Sequence, residues 1–545
     1  MKPEAQSIVC SLTQIFASNK VLDSKMRLLM KVIETITKLD AKDRKKLLSY
    51  LVENKRLIAR NHQLLFKSFL FNAFKDENLL KEIAGELFKQ TQAPEHYHCL
   101  IWNILNNLFQ NGGNLNPKTV WHVREDCMRP SYHQMMRNIL NCVQDTETYH
   151  SNGEVKKVAI VVSQVLSILH APTKNLLLMA SGLMQQHGLE VHVINTNLMP
   201  FSNPVEYFNG ITPNFYDGFV GKQVVNYEDP DFGKTAIQLY SRSPKPFDLH
   251  SMVDIWDYIE KERFDVLINL GDVLFSTDYF YQKIPILSIN TTRNLPIAWA
   301  DQYLLSHDAL NPAEKEAIDK LGIQEPALNW NLNITPEKGE ESFDKTTYQV
   351  PADAFVFVVA GNRLGRELDK QFLEICHRLL EDHEKNYLFF VGDHKEVLDV
   401  LKKAGLVAHE RVKSFDFQQD LRSFYAMCDV YLNPFRSGGN VSAQLALKLS
   451  IPVVTLAEGD VSTSLPPALR CQNQQDFEHL ALSLSRDALL LADWQKKMAA
   501  VAQDMPSNHH AIQTLYSLIV GLAQKSAKKQ EATLSSDYNN AKAVS

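Results

Sequence analysis

Apolar residues recur at steps of three and four through roughly the first 145 positions, a spacing that predicts amphipathic helices nearly throughout. Within residues 24–39, Met26, Leu29, Met30, Ile33 and Ile36 fall on one stripe. Asp40 then stands where a cap is wanted for AKDRKKLLSYLVEN, because a short side-chain oxygen can take a free N–H of the first turn. HQLLFKSFLFNAF, NLLKEIAGELFKQ, HCLIWNILNNLFQ and SYHQMMRNILNCV continue the pattern, with breaks expected at NGGNLNP and MRP. No repeat period recurs, so residues 1–150 are expected to form an irregular all-helical domain.

At residue 151 the pattern changes. VKKVAIVVSQVL is too continuously apolar for a half-exposed strand and reads as a buried parallel one. A helix (TKNLLLMASGLMQQHG) and a strand (EVHVINT) follow, and the alternation returns at FDVLINLG and IPILSIN. A second set begins at AFVFVVAGNR and continues through NYLFFVGD, CDVYLNPF and IPVVTLAEG. Strand–helix alternation with apolar strands predicts doubly wound α/β units. The expected organisation is an all-α domain followed by two Rossmann-like domains, residues 151–340 and 341–524, with a loop-rich connector at about 311–351. The polar, aperiodic residues 525–545 are expected to be a disordered tail.

Composition narrows the function classes. The 545 residues are 45 % apolar and 22 % charged, as in globular proteins, and the net charge of −6 gives no reason to expect a nucleic-acid partner. No run approaches the ~18 apolar residues of a membrane span, and the start has no secretory signal pattern. Seven scattered cysteines without a CxxC pair argue for reduced thiols, a cytoplasmic location and no metal site. The Asp229-Pro-Asp231 of EDPDFG reads as a turn rather than a metal-binding pair.

The candidate chemistry lies between the two α/β units, outside the carboxyl ends of their strands. In CDVYLNPFRSGGNVSAQLALKLSIPVV a strand runs through Gly438 and Gly439 into a helix, where bare backbone and the helix dipole favour an anion. Asn440 or Ser442 would cap that helix and also reach a phosphate. In VVAGNRLGRELDKQF, Asn362, Arg363 and Arg366 stand at the mouth of a strand–turn–helix, where positive charge calls for an anion nearby. On the other side SQVLSILHAPTKN places His170 in the loop after the first strand of its unit, and a histidine there can take a proton near neutral pH. Asp272, Asp301 and His307 are alternative loop candidates, Asp301 more as a strand-end structural residue; Asn290, Thr291 and Arg293 could line the same cleft.

These segments resemble the GT-B glycosyltransferases, in particular the family of the O-linked N-acetylglucosamine transferase and the bacterial cytoplasmic protein N-glycosyltransferases. The resemblance rests on NPF from Asn433, on Gly439, Asn440, Val441 and Ser442, and on the PVV strand that follows; in the helical domain it is one of architecture. It implies a nucleotide-diphosphate sugar, UDP-hexose or UDP-HexNAc, as co-substrate, with no other cofactor and no metal. The diphosphate would lie on Gly438–Ser442 and the Arg363 turn, with Arg366 where the family places its lysine. His170 would serve the acceptor, a protein or a surface glycan, in a displacement with inversion. One departure stands out: the position seven before Pro452, where related enzymes hold ribose with an acidic residue, is Leu445, beside Gln444. That departure favours a second reading, a catalytically inactive GT-B protein acting as a chaperone or adaptor in glycosylation or adhesin export. A nucleotide-sugar epimerase of the same fold is a third, which would leave the helical domain without a task.

Overall fold

The computed structural model describes residues 2–18, 20–86, 94–111, 115–142, 153–167, 170–198, 206–208, 217–243, 249–272, 275–290, 292, 294–307, 309–333, 343–418, 420–436 and 438–544. Among them the front of the chain is all-helical, from Pro3–Ala17 to Arg129–Cys142. Asp40 caps the Ala41–Glu53 helix by accepting from the Asp43 N–H at 2.8 Å. In the Leu22–Thr37 helix Leu29 and Ile36 are buried as expected, whereas Met30 is 44 % exposed and Val32 takes its place in the core. The break expected at MRP does not occur. Helix runs from Pro117 to Cys142 through a π-helical stretch, His122–Met128, just ahead of Pro130. Proline lacks an N–H and crowds the preceding turn, and a widened turn absorbs both faults without ending the helix.

Two sheets follow. The first contains β1 (Lys157–Val162), β2 (Glu190–Asn195), β3 (Gly221–Asp229), β4 (Gly233–Ser241), β5 (Val266–Leu270), β6 (Ile286–Ile289), β7 (Gln302–Leu304) and β8 (Gln324–Ala327). Its order is β3-β4-β2-β1-β5-β6-β7-β8, parallel except for the β3–β4 hairpin. EDPDFG is the hairpin turn, where the Asp229 carboxylate accepts from the Asp231 N–H at 2.8 Å. The second sheet, β9 (Phe355–Ala360), β10 (Asn386–Val391), β11 (Val412–Phe415), β12 (Val430–Leu432) and β13 (Val453–Val454), is fully parallel in the order β11-β10-β9-β12-β13.

The cores show how the parts join. Leu29, Phe69 and Ile104 of the front helices share one apolar cluster with Ala159, Leu267 and Ile286 of the first sheet, so the helical region is packed onto one face of that sheet. The sheet's other face packs on Ile512, Leu515 and Ile519 of the last helix, Asn508–Val544. This corrects the expected end of the second α/β unit at residue 524: the chain returns to the first unit at about residue 508. Gly182 permits the return, since a Cβ there would stand 2.5 Å from Ile512 Cγ1. The tail expected to be disordered continues the same helix to Val544, and the stretch after Ala523, with four Ala and four Lys, contains no Gly or Pro to stop it. The expected connector is likewise more ordered, holding the Pro312–Leu321 helix with its Asn311–Glu314 capping box, and β8.

Candidate functional site

The order of the second sheet reverses between β9 and β12, and the crevice beyond their carboxyl ends is where such sheets hold ligands. Two loops open there. After β9 the chain turns at Gly361 through the exposed Asn362 and Arg363 into the short Leu364–Glu367 helix. After β12 it passes Asn433 and Gly438 into the Asn440–Lys448 helix. Gly439 precedes that helix at φ 106°, a backbone that side chains disfavour, and no side-chain cap is present at this start among the described residues.

Two guanidinium groups converge on this helix start. Arg363 Nη2 lies where a Cβ at Gly438 would stand 2.8 Å away, and it pairs with Glu367 at 3.0 Å. Arg436 is buried beneath the two loops. Its Nη1 donates to Glu367 at 2.7 Å, Nη2 to the Ala360 carbonyl at 2.7 Å and the Tyr431 hydroxyl at 3.0 Å, and Nε to the Asn433 amide oxygen at 3.0 Å. A Cβ at Gly361 or Gly439 would come closer than 3.0 Å to this guanidinium, so both glycines make room for an arginine of the chain itself. Burial opposes the charge on Arg436, but Tyr431 and Glu367 more than offset it and hold its pKa above the usual value. Glu367 thus bridges both arginines, and one carboxylate against two guanidiniums leaves one net positive charge among the three beside a helix start.

The other expected donor-side residues divide. Asn433 is buried and committed to Arg436 and to Thr455, its amide donating to that hydroxyl at 3.2 Å. Asn440 lies at the helix start with its amide oxygen taken by the Ser464 hydroxyl at 2.7 Å, so it does not cap the helix. Val441 and Ser442 are half-buried in the first turn. Arg366 is not brought into the cluster: it lies on another face of its short helix, 56 % exposed and 3.5 Å from Glu396. Leu445 is in the core, and Gln444 is buried with its amide on Ser464 at 3.3 Å, so neither is presented to a ribose. Arg436 and Glu367 were missed at the sequence level. Arg436 stands inside the quoted NPFRSGG, and the signal was an arginine just before paired glycines.

The first sheet reverses between β1 and β5, and the loops after these strands carry His170 and Asp272. His170 precedes the Ala171–His187 helix with Nδ1 3.2 Å from the Thr173 hydroxyl. Burial and then the charge of Arg363 depress its pKa to about 4 and leave the imidazole neutral at pH 7. Asp272 is instead held by Arg124 of the π-helical stretch through two bonds of 2.6 and 2.9 Å. Asp301 accepts from the Ile286 N–H at 2.8 Å, as a strand-end residue. His307 is buried with Nδ1 3.8 Å from Glu314. Asn290 donates to the Asn294 carbonyl at 2.7 Å, whereas Thr291 and Arg293 lie outside the described residues.

A cavity of about 510 Å³ joins the three parts. Phe109 and Trp121 of the helical region, Asp272 and His307 of the first α/β unit, and residues 433–436 and 455–460 of the second line it. Among the described residues no helix is long and apolar enough to cross a membrane, no group of acidic, histidine and cysteine side chains has metal-binding geometry, and the cysteines are free.

No family model and no curated protein matches the sequence. Solved structures do match the fold. An O-GlcNAc transferase mutant from Thermobaculum terrenum aligns over 97 % of this chain and 100 % of its own, with a TM-score of 0.55 and 13 % identity. A glycosyltransferase from Rickettsia africae aligns over 68 % of this chain and 99 % of its own (TM-score 0.48, 11 % identity). WaaG, a glycosyltransferase involved in lipopolysaccharide biosynthesis, aligns over 67 % and 100 % (TM-score 0.42, 12 % identity). The fold is therefore GT-B, two Rossmann-like units with an all-helical region in front.

Proposed function

We propose that the chain is a glycosyltransferase that takes a sugar from a nucleotide diphosphate and passes it to a protein or surface-glycan acceptor. The convergence of Arg363 and Arg436 on the bare start of the Asn440–Lys448 helix is the observation that carries this reading. The diphosphate would lie against Arg363 and the helix start, with the Arg436–Glu367 pair as the floor beneath. The acceptor's nucleophilic lone pair forms the new bond to the anomeric carbon while the bond to the diphosphate oxygen breaks on the opposite face, giving inversion. The acceptor's proton passes to neutral His170, through Nε2, since Nδ1 is at Thr173. The departing diphosphate gains charge as the bond breaks, so fixed cations there favour the transition state over the ground state. UDP-hexose or UDP-HexNAc is the expected donor, and turnover is expected to survive EDTA.

The test is calorimetric binding of UDP, GDP and their sugar conjugates to wild type, Arg363→Ala and Arg366→Ala. Binding of one nucleotide that Arg363→Ala weakens measurably and Arg366→Ala barely changes is the expected outcome. Silence with every nucleotide sinks the reading. A second reading, a catalytically inactive adaptor or chaperone, is favoured by Leu445 in the core, by Gln444 tied to Ser464, and by a carboxylate of the chain already holding both arginines.

A further inference from the structure

Arg363 belongs to the second α/β unit, but what orders it does not belong wholly to that unit. Its Cζ stands 4.4 Å from the ring centroid of Phe109, in the last turn of the Pro94–Asn111 helix of the helical region. The arginine side chain is 45 % exposed, and a long side chain at such a site loses rotamer freedom only where several partners hold it. Here there are two, the Phe109 ring against Cζ and Glu367 at Nη2, and Gly438 lacks the Cβ that would crowd Nη2. A guanidinium stacked by its face keeps its N–H groups in the free plane, the geometry that phosphate oxygens accept.

The contact crosses the cleft. The front helices share their core with the first sheet, so Phe109 belongs to the body on the acceptor side, whereas Arg363 belongs to the second α/β unit. Phe109 also lines the cavity together with Asn433 and Arg436. We infer that Phe109 is a positioning residue of the donor site: the helical region completes the diphosphate-binding arrangement by stacking on Arg363. The inference rests on the donor reading above and extends it. The helical region becomes part of the binding site for the nucleotide, beyond bracing the first sheet. Donor affinity then depends on the spacing between the two bodies, because parting them unstacks the arginine.

The experiment is calorimetric titration of the full chain with the nucleotide that binds wild type, UDP tried first and GDP second. Phe109→Leu keeps most of the volume and removes the π face, and is expected to weaken binding by about three- to tenfold. Phe109→Tyr keeps the face and is expected to bind as wild type does. In the Arg363→Ala background Phe109→Leu is expected to have no further effect, which separates stacking on the arginine from a general packing defect. Wild-type affinity in Phe109→Leu, or equal losses in the Leu and Tyr variants, or full additivity with Arg363→Ala, overturns the inference while the donor reading stands. Absence of nucleotide binding by wild type, or indifference to Arg363→Ala, overturns the donor reading and the inference with it.

Discussion

Gly361→Ala tests whether the glycines of the crevice serve Arg436. Gly361 has no left-handed backbone conformation, so alanine costs nothing in its own dihedral angles. The added methyl would meet Arg436 alone among its nearest neighbours: Nη1 closer than 3.0 Å, Cζ at 3.2 Å and Nη2 at 3.4 Å. Restoring an ordinary contact of about 3.5 Å moves the guanidinium further than its bonds to Glu367 and Ala360 tolerate. Hydrogen bonds to a charged group contribute ~1.5–3 kcal/mol each, so the loss of two predicts a destabilisation of ~3–6 kcal/mol. Arg436→Met, which removes one partner of a buried ion pair, is expected to cost ~3–5 kcal/mol by itself. Once the arginine is gone the methyl has room, and the double variant should cost no more than Arg436→Met alone. Urea unfolding midpoints of the wild type, both single variants and the double variant measure this. Additivity within ~0.5 kcal/mol would refute the argument, because independent sites add and residues contesting one volume do not.

Acid should destabilise the protein through three histidines whose burial depresses their pKa values, His98 to about 3 and His133 and His170 to about 4. Each folded pKa lies below the unfolded value near 6.5, so their contribution is complete above about pH 6.5 and is lost as the pH falls, by up to ~1.4 kcal/mol per pH unit per histidine; flat stability between pH 6.5 and 4.5 in urea melts would contradict this. Asp278 is fully buried, its pKa raised far above the usual range by burial, with one oxygen accepting from the Trp299 N–H at 3.0 Å and the other 2.5 Å from the Tyr132 hydroxyl. Asp278→Asn should therefore change stability by less than ~1 kcal/mol, whereas Asp278→Ala should cost ~3 kcal/mol by leaving two buried partners unpaired; equal losses in thermal unfolding would show that the carboxyl is ionised.

The parts of the fold legible in the sequence were those whose signal is local. Five-residue apolar runs such as VAIVV and FVFVV announced β1 and β9, and the three-and-four spacing announced the front helices. The strands β3, β4, β7, β8 and β11 escaped notice. The edge strands β3, β8 and β11 and the hairpin strand β4 are only partly buried and β7 is three residues long, so no continuous apolar run marks them. The helix past Ala523 was misread because polarity was weighed and helix propensity was not.

At the site the sequence by itself determined the ingredients: two α/β units, a paired-glycine turn into a helix, arginines after a strand, and a histidine in the loop opposite. Only the tertiary structure decided which of these meet. Arg363 and Arg366 are three residues apart and look alike in sequence, yet one faces the paired glycines and the other faces Glu396. Arg436, 69 residues from Glu367, proved to be the cation that Gly361 and Gly439 accommodate. The reason is physical. Chain-local patterns report which face of an element is apolar, whereas a guanidinium's position is set by partners that long-range folding brings within about 3 Å of it.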